Sequence, residues 1–182
     1  MSSLLPALTL LGLLFAGEPD GKARLEDLRV TVQGSRLDVS FHLVNAFDSD
    51  LVERIETGLP SGFRFHFTLL KDYKLWWDRE MDDTTIQVFA SYDAVSREYL
   101  VNYRQDGRLI QSRVVGNLAE LEAAMTRFEG LHVFNVERRP RRRMLIRAKA
   151  RLGRKNLLGI IPTSIETGSL ESAKFRLEPE NG

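Results

Sequence analysis

The sequence predicts a mainly β protein, an antiparallel β-sandwich or open barrel with two short amphipathic helices. Three observations carry that expectation. Apolar residues recur at every second position through most of the chain after Leu25. Turn residues separate these stretches, and only two segments switch to a helical period.

Residues 36–44 put Leu37, Val39, Phe41 and Leu43 on one face and Asp38, Ser40 and His42 on the other. Gly34-Ser35 separates them from residues 28–33, so the two stretches are expected to form a hairpin. Asp50 stands three residues before Glu53, a capping-box spacing, ahead of Val52, Ile55 and Leu59; Gly58 and Pro60 end that helix. Residues 63–69 alternate Phe63, Phe65, Phe67 and Leu69 with Arg64, His66 and Thr68. Residues 85–92 repeat the theme with Ile86, Val88, Ala90 and Tyr92. The stretches 98–103 and 108–114 flank Gln105-Asp106-Gly107, the strongest hairpin signal in the chain. Asn117 is a cap for a helix over 118–128, with Leu118, Leu121, Met125 and Phe128 on one stripe. Strands are expected over 131–136 and 144–152, and a last one over 172–177.

Residues 1–16 (MSSLLPALTLLGLLFA) carry no charged side chain. The apolar part, residues 4–15, falls short of the roughly 20 residues a membrane-crossing helix needs, and has the length of a secretory h-region. Residues 1–23 therefore read as a signal peptide with its polar tail, cut after Ala16 or after Ala23. The expected location is exported, periplasmic or associated with the cell envelope. An N-terminal core helix or an uncleaved anchor is the competing reading. Residues 24–178 are expected to form a single β-rich domain, followed by a tail over 179–182.

Composition is that of a globular protein: 43% hydrophobic and 28% charged residues in 182. Zero cysteines exclude disulfides, thiolate zinc sites and thiol catalysis. The net charge of +1 hides a segregation, because residues 138–155 hold ten basic side chains and no acidic one. Arg138, Arg139, Arg141, Arg142 and Arg143 surround Pro140 in an expected extended turn. The strand after it sets Arg143, Arg147, Lys149 and Arg151 on one face, with Leu145 between. Stacked like charges repel, so they call for a counter-anion or facing carboxylates. One reading is a docking surface for an acidic protein, anionic lipid headgroups or glycans. The other is a solvated face paired with local Asp and Glu. Nucleic acid would need the same electrostatics, but no nucleic-acid partner is expected outside the cytoplasm.

Trp76 and Trp77 are adjacent, so on a strand they point to opposite faces, and one is a candidate aromatic contact. Asp78, Glu80, Asp82 and Asp83 cluster without the glycine and terminal glutamate of a calcium loop. They read as a solvated turn or as partners for the basic strand. His42 and His66 would meet only if their strands paired, and His132 stands apart. Neither a metal site nor a cofactor is expected. No nucleophile elbow, zincin or P-loop motif is present, so no catalytic residue can be named.

The stretches 41–47 (FHLVNAF), 51–60 (LVERIETGLP), 63–69 (FRFHFTL) and Trp76-Trp77-Asp78 form a pattern of strand, short helix, strand and Trp-rich acidic turn. Ser91-Tyr92-Asp93, Arg97-Glu98-Tyr99 and the segment 118–128 extend it. This layout, over most of 25–177, resembles the bacterial domain-of-unknown-function 4390 family. The resemblance implies an exported or membrane-associated envelope protein, often encoded near sensor kinases of the nitrogen-regulation type. It implies no catalytic residue. The region around residues 157–162 departs from the pattern.

Three functions follow as expectations. The first is a non-catalytic envelope domain binding an acidic partner, such as the extracytoplasmic loop of a sensor kinase or another membrane protein. The second is a carrier or sensor of an amphipathic small ligand, enclosed by Phe41, Phe63, Phe65, Phe67 and Phe89 in a barrel. The third is an envelope-glycan hydrolase with Trp76 or Trp77 as sugar platform and Asp78 as the acid.

Overall fold

The computed structural model describes residues 21–73, 79–136, 143–157 and 161–177, with backbone alone for 154–157 and 161–164. Strand β1 (Arg24–Gln33) and strand β2 (Arg36–Val44) pair antiparallel around Gly34, whose φ of 63° suits a residue without Cβ. The alternating apolar set of β2 points inward, with Leu37, Val39, Phe41 and Leu43 buried. Helix α1 (Ser49–Glu56) follows and buries Leu51 and Ile55. Strand β3 (Ser61–Lys71) then pairs with β4 (Arg79–Asp93) over almost its whole length. Strands β5 (Glu98–Gln105) and β6 (Arg108–Val115) form the expected hairpin. Asp106 and Gly107 both take positive φ, 47° and 82°, as a turn matched to strand twist requires. The Asp106 carboxylate also accepts from Thr84 Oγ1 and from the Thr85 amide, each at 2.8 Å, which pins the turn to β4.

Helix α2 (Leu118–Thr126) is capped as expected by Asn117, whose side chain accepts from the Glu120 amide at 2.9 Å. It runs directly into β7 (Arg127–Asn135). Strands β8 (Met144–Leu157), β9 (Ile161–Glu166) and β10 (Leu170–Glu171) are the last strands among the described residues.

The strands form two sheets. The smaller is β1-β2-β7; the larger runs β10-β8-β3-β4-β5-β6, with β9 also paired to β8. Every pairing is antiparallel. Of the two expected architectures, the sandwich is the one found, because the sheets pack face to face and do not close into a barrel. The core is aromatic. Phe41 stacks on Phe128, its cross-strand partner on β7, at 4.6 Å, and meets Phe65 and Phe67 edge-on at 5.1 and 5.4 Å. The Tyr103 hydroxyl reaches the Ala124 carbonyl at 2.8 Å, tying α2 to β5. Burial pushes that phenol's pKa up.

Four local expectations are corrected. The cap of α1 is Asp48, which accepts from the Leu51 amide at 2.9 Å; Asp50 lies in the first turn, where its charge favours the helix dipole. Phe128 is not on α2: Arg127 is already extended, and Phe128 enters the core from β7, while Leu118 is exposed. No strand spans 172–177; the chain there makes a single bridge, Phe175 to Met144, and the pairing with β8 comes from β9 and β10. Phe89 does not face inward but lies on the outer face of the large sheet, with the Arg104 guanidinium 4.9 Å above its ring. Of residues 1–23, expected to be a leader, 1–20 lie outside the described residues.

Candidate functional site

Strand β3 has a strict alternation, so sending Phe63, Phe65 and Phe67 to the core sends Arg64, His66 and Thr68 to the outer face of the large sheet. Strand β8 does the same, burying Met144, Ile146, Ala148 and Ala150 and turning Arg147, Lys149 and Arg151 outward. The register then decides what meets what. Arg64 stands opposite Arg151, His66 opposite Lys149, and Thr68 opposite Arg147. Two guanidinium groups facing each other across a strand pair are destabilising unless an anion lies between or beside them.

Carboxylates arrive from the other edge of β8. Glu166 on β9 is the register partner of Arg151, and Glu171 on β10 that of Arg147. Glu166 Oε1 accepts from Arg151 Nε and Nη2 at 2.9 and 2.7 Å, and its Oε2 pairs with Lys149. Glu171 Oε1 accepts from Arg147 at the same two distances. Lys149 first, and then Arg151, hold the Glu166 carboxyl below the usual carboxylate range. Arg64 has no carboxylate partner among the described residues. With its amide oxygen turned toward the guanidinium, Gln87 accepts from Arg64 Nε and Nη2 at 3.2 Å. His66 Nδ1 lies 3.4 Å from Thr85 Oγ1.

These groups surround a shallow depression of about 400 Å³, lined by Arg64, His66, Thr85, Lys149, Arg151 and Glu166. Three permanent cations line it beside one carboxylate, which pairs with two of them, Lys149 and Arg151. The arrangement can receive an anion, and two of its cations are guanidinium forks suited to carboxylates.

Of the candidate residues, the structure brings Arg147, Lys149 and Arg151 together on this face and leaves Arg143 exposed just before β8. Arg138, Arg139, Arg141, Arg142, Trp76, Trp77 and Asp78 lie outside the described residues. Leu145, between the charges in sequence, is buried opposite Leu70. Sequence reasoning missed Arg64 and His66 as members of the site. Their polar face was visible in the alternation, but nothing local in the sequence pairs β3 with β8.

The remaining histidines are elsewhere. His42 is on the small sheet, 3.7 Å from Asp27 and 3.9 Å from Glu129, and so is not beside His66. His132 Nδ1 lies 3.1 Å from the buried Asp38 carboxylate, which also takes Arg36 Nε at 2.7 Å. Among the described residues no group of three or more His, Cys, Asp or Glu is placed to hold a metal ion.

One family matches the chain, described as Domain of unknown function (DUF4390), over residues 20–160. The chain belongs to this family. The match takes in β1 through the whole of β8, hence both sheets and the cationic strand. Neither the curated proteins nor the solved structures contain a match. The domain-of-unknown-function 4390 membership brings no residue roles, so those of Arg64, Lys149 and Arg151 rest on their geometry.

Proposed function

We propose that this protein is a non-catalytic cell-envelope module that holds an acidic segment of a protein partner against the outer face of its large sheet. The observation that carries this reading is the opposition of Arg64 and Arg151 across β3 and β8. Glu166 serves two of the three cations around the depression and leaves Arg64 to a neutral amide. A sheet built for stability alone would place a carboxylate at position 64. An incoming Asp or Glu side chain would supply that anion, and the fork of Arg64 would bind it in bidentate fashion. The apolar leader over 1–16 supports an exported location, where the partner would be a loop of a membrane protein such as a sensor kinase.

The test is capture from envelope extract on the immobilised full chain at rising salt, with Arg64→Glu alongside. Charge pairs exposed to solvent weaken as the Debye length falls from about 10 Å at 0.1 M to about 3 Å at 1 M salt. The expected result is a partner retained at low salt, released at high salt, and lost in Arg64→Glu. The variant remains folded, because its new carboxylate faces Arg151. Capture that is indifferent to both salt and Arg64→Glu would refute the proposal. Retention of anionic lipid vesicles in place of a protein would reassign the face to headgroups.

A further inference from the structure

A second concavity lies at the end of the sandwich where β2 leaves for α1, between that helix and the β8–β9 pair. Its volume is about 380 Å³. The walls are mostly apolar: Ala46 and Leu51 are buried, Phe63 comes from the core, and Leu152 and Ile165 are half-buried, while Lys22 and Asn45 add polar groups. The apolar residues come from five different elements or their edges, so the cavity is a feature of the assembled fold rather than of one loop.

Arg54, in the last turn of α1, stands at the rim. Arg54 as a whole is half-buried, and its guanidinium meets no carboxylate among the described residues. The two acids that also line the cavity are engaged elsewhere. Asp48 caps α1 through the Leu51 amide, and Glu166 is held by Lys149 and Arg151. Opposite Arg54 the wall is Gly153, and a Cβ placed there would meet Arg54 Nη2 at 3.8 Å and nothing closer. The chain thus keeps open space in front of the Arg54 guanidinium, next to an apolar floor.

We propose that this cavity binds a single-chain amphiphile with one anionic head, of the fatty-acid class. The alkyl chain lies against Leu51, Phe63, Leu152 and Ile165, and the carboxylate takes the fork of Arg54. Concave sites of this size, mostly apolar with a few fixed polar groups, are the usual form of small-molecule sites. An apolar body with one charged end matches a mostly apolar pocket whose two cations, Arg54 and Lys22, have no acid of their own among the described residues. The volume, near the lower end of the usual range, selects a medium-length chain. The inference does not rest on the acidic-partner reading, since neither Arg54 nor Gly153 belongs to the cationic face.

Calorimetric titration of the purified full chain with decanoate and with decanol, both below their aggregation concentrations, tests it. Decanoate is expected to bind more tightly than the alcohol, by roughly tenfold or more if Arg54 makes a charge-assisted pair. Arg54→Met is expected to remove that preference and leave the alcohol unaffected, with Arg54→Lys restoring part of it. Gly153→Leu, which projects a side chain into the open space without backbone strain, is expected to abolish binding of both. No binding of decanoate by the wild-type chain, equal affinity for acid and alcohol, or undiminished binding by Gly153→Leu would each overturn the proposal.

Discussion

Glu166 is the residue on which the cationic face turns. It is the register partner of Arg151, it also holds Lys149, and those cations depress its pKa. A carboxyl with a folded-state pKa below its unfolded value contributes stability above the unfolded pKa and loses it as pH falls through the folded one. The wild-type chain is therefore expected to lose stability on acidification below the ordinary carboxylate range. Glu166→Gln should unfold at a lower temperature than wild type near neutral pH, and the two melting curves should converge in acid. Melting curves that coincide at every pH would mean Glu166 is a surface pair of no consequence. The basic residues were legible one by one in the sequence. Their partners were not, because Glu166 and Glu171 lie outside the charged block and reach it through two short strands without a clear alternating pattern.

At the scale of elements, strands with strict alternation were read correctly and their ends less so. Residues 36–44, 63–69 and 85–92 bury the sets the period assigns except Tyr92, which is only partly buried, since a half-buried strand leaves a two-residue signature. The junction of α2 and β7 was misread because Phe128 fits the helical stripe equally well, and only the extended Arg127 decides between them. Asp48 and Asp50 both fit a cap; the helix starts from Asp48, and the capping-box pattern favoured Asp50. Gly62 shows how closely the elements approach. A Cβ there would stand 2.0 Å from the Val88 carbonyl oxygen and 2.7 Å from Phe89 Cα, both backbone atoms that cannot rotate away. Gly62→Ala should force β3 from β4 and cost about 1–3 kcal/mol in a denaturant titration, the range for overpacking a well-filled site. An unchanged midpoint would show that the two strands can part locally at no cost.

Over the whole molecule, the fold follows from one division of labour. The inner faces of both sheets supply a single core in which Phe41, Phe65, Phe67 and Phe128 pack ring against ring. Those phenylalanines pack against one another, and the concavity with Arg54 lies at an end of the sandwich. The outer face of the large sheet is left to carry charge, and the β3–β8 pairing concentrates cations from two distant parts of the sequence on it. Fold class was legible because alternation is local. Sheet order was not, and with it the site, because β8 pairs with a strand about 80 residues earlier in the chain.

The central claim is that the depression around Arg64, Lys149 and Arg151 receives an acidic segment. The most direct measurement is NMR titration of the isotope-labelled chain with an Asp- and Glu-rich peptide at low salt. The account predicts that the amides of residues 64–68, 85–87 and 147–151 shift together, saturably, and return on adding salt. Shifts confined to the small sheet, or none on β3 and β8, would contradict it.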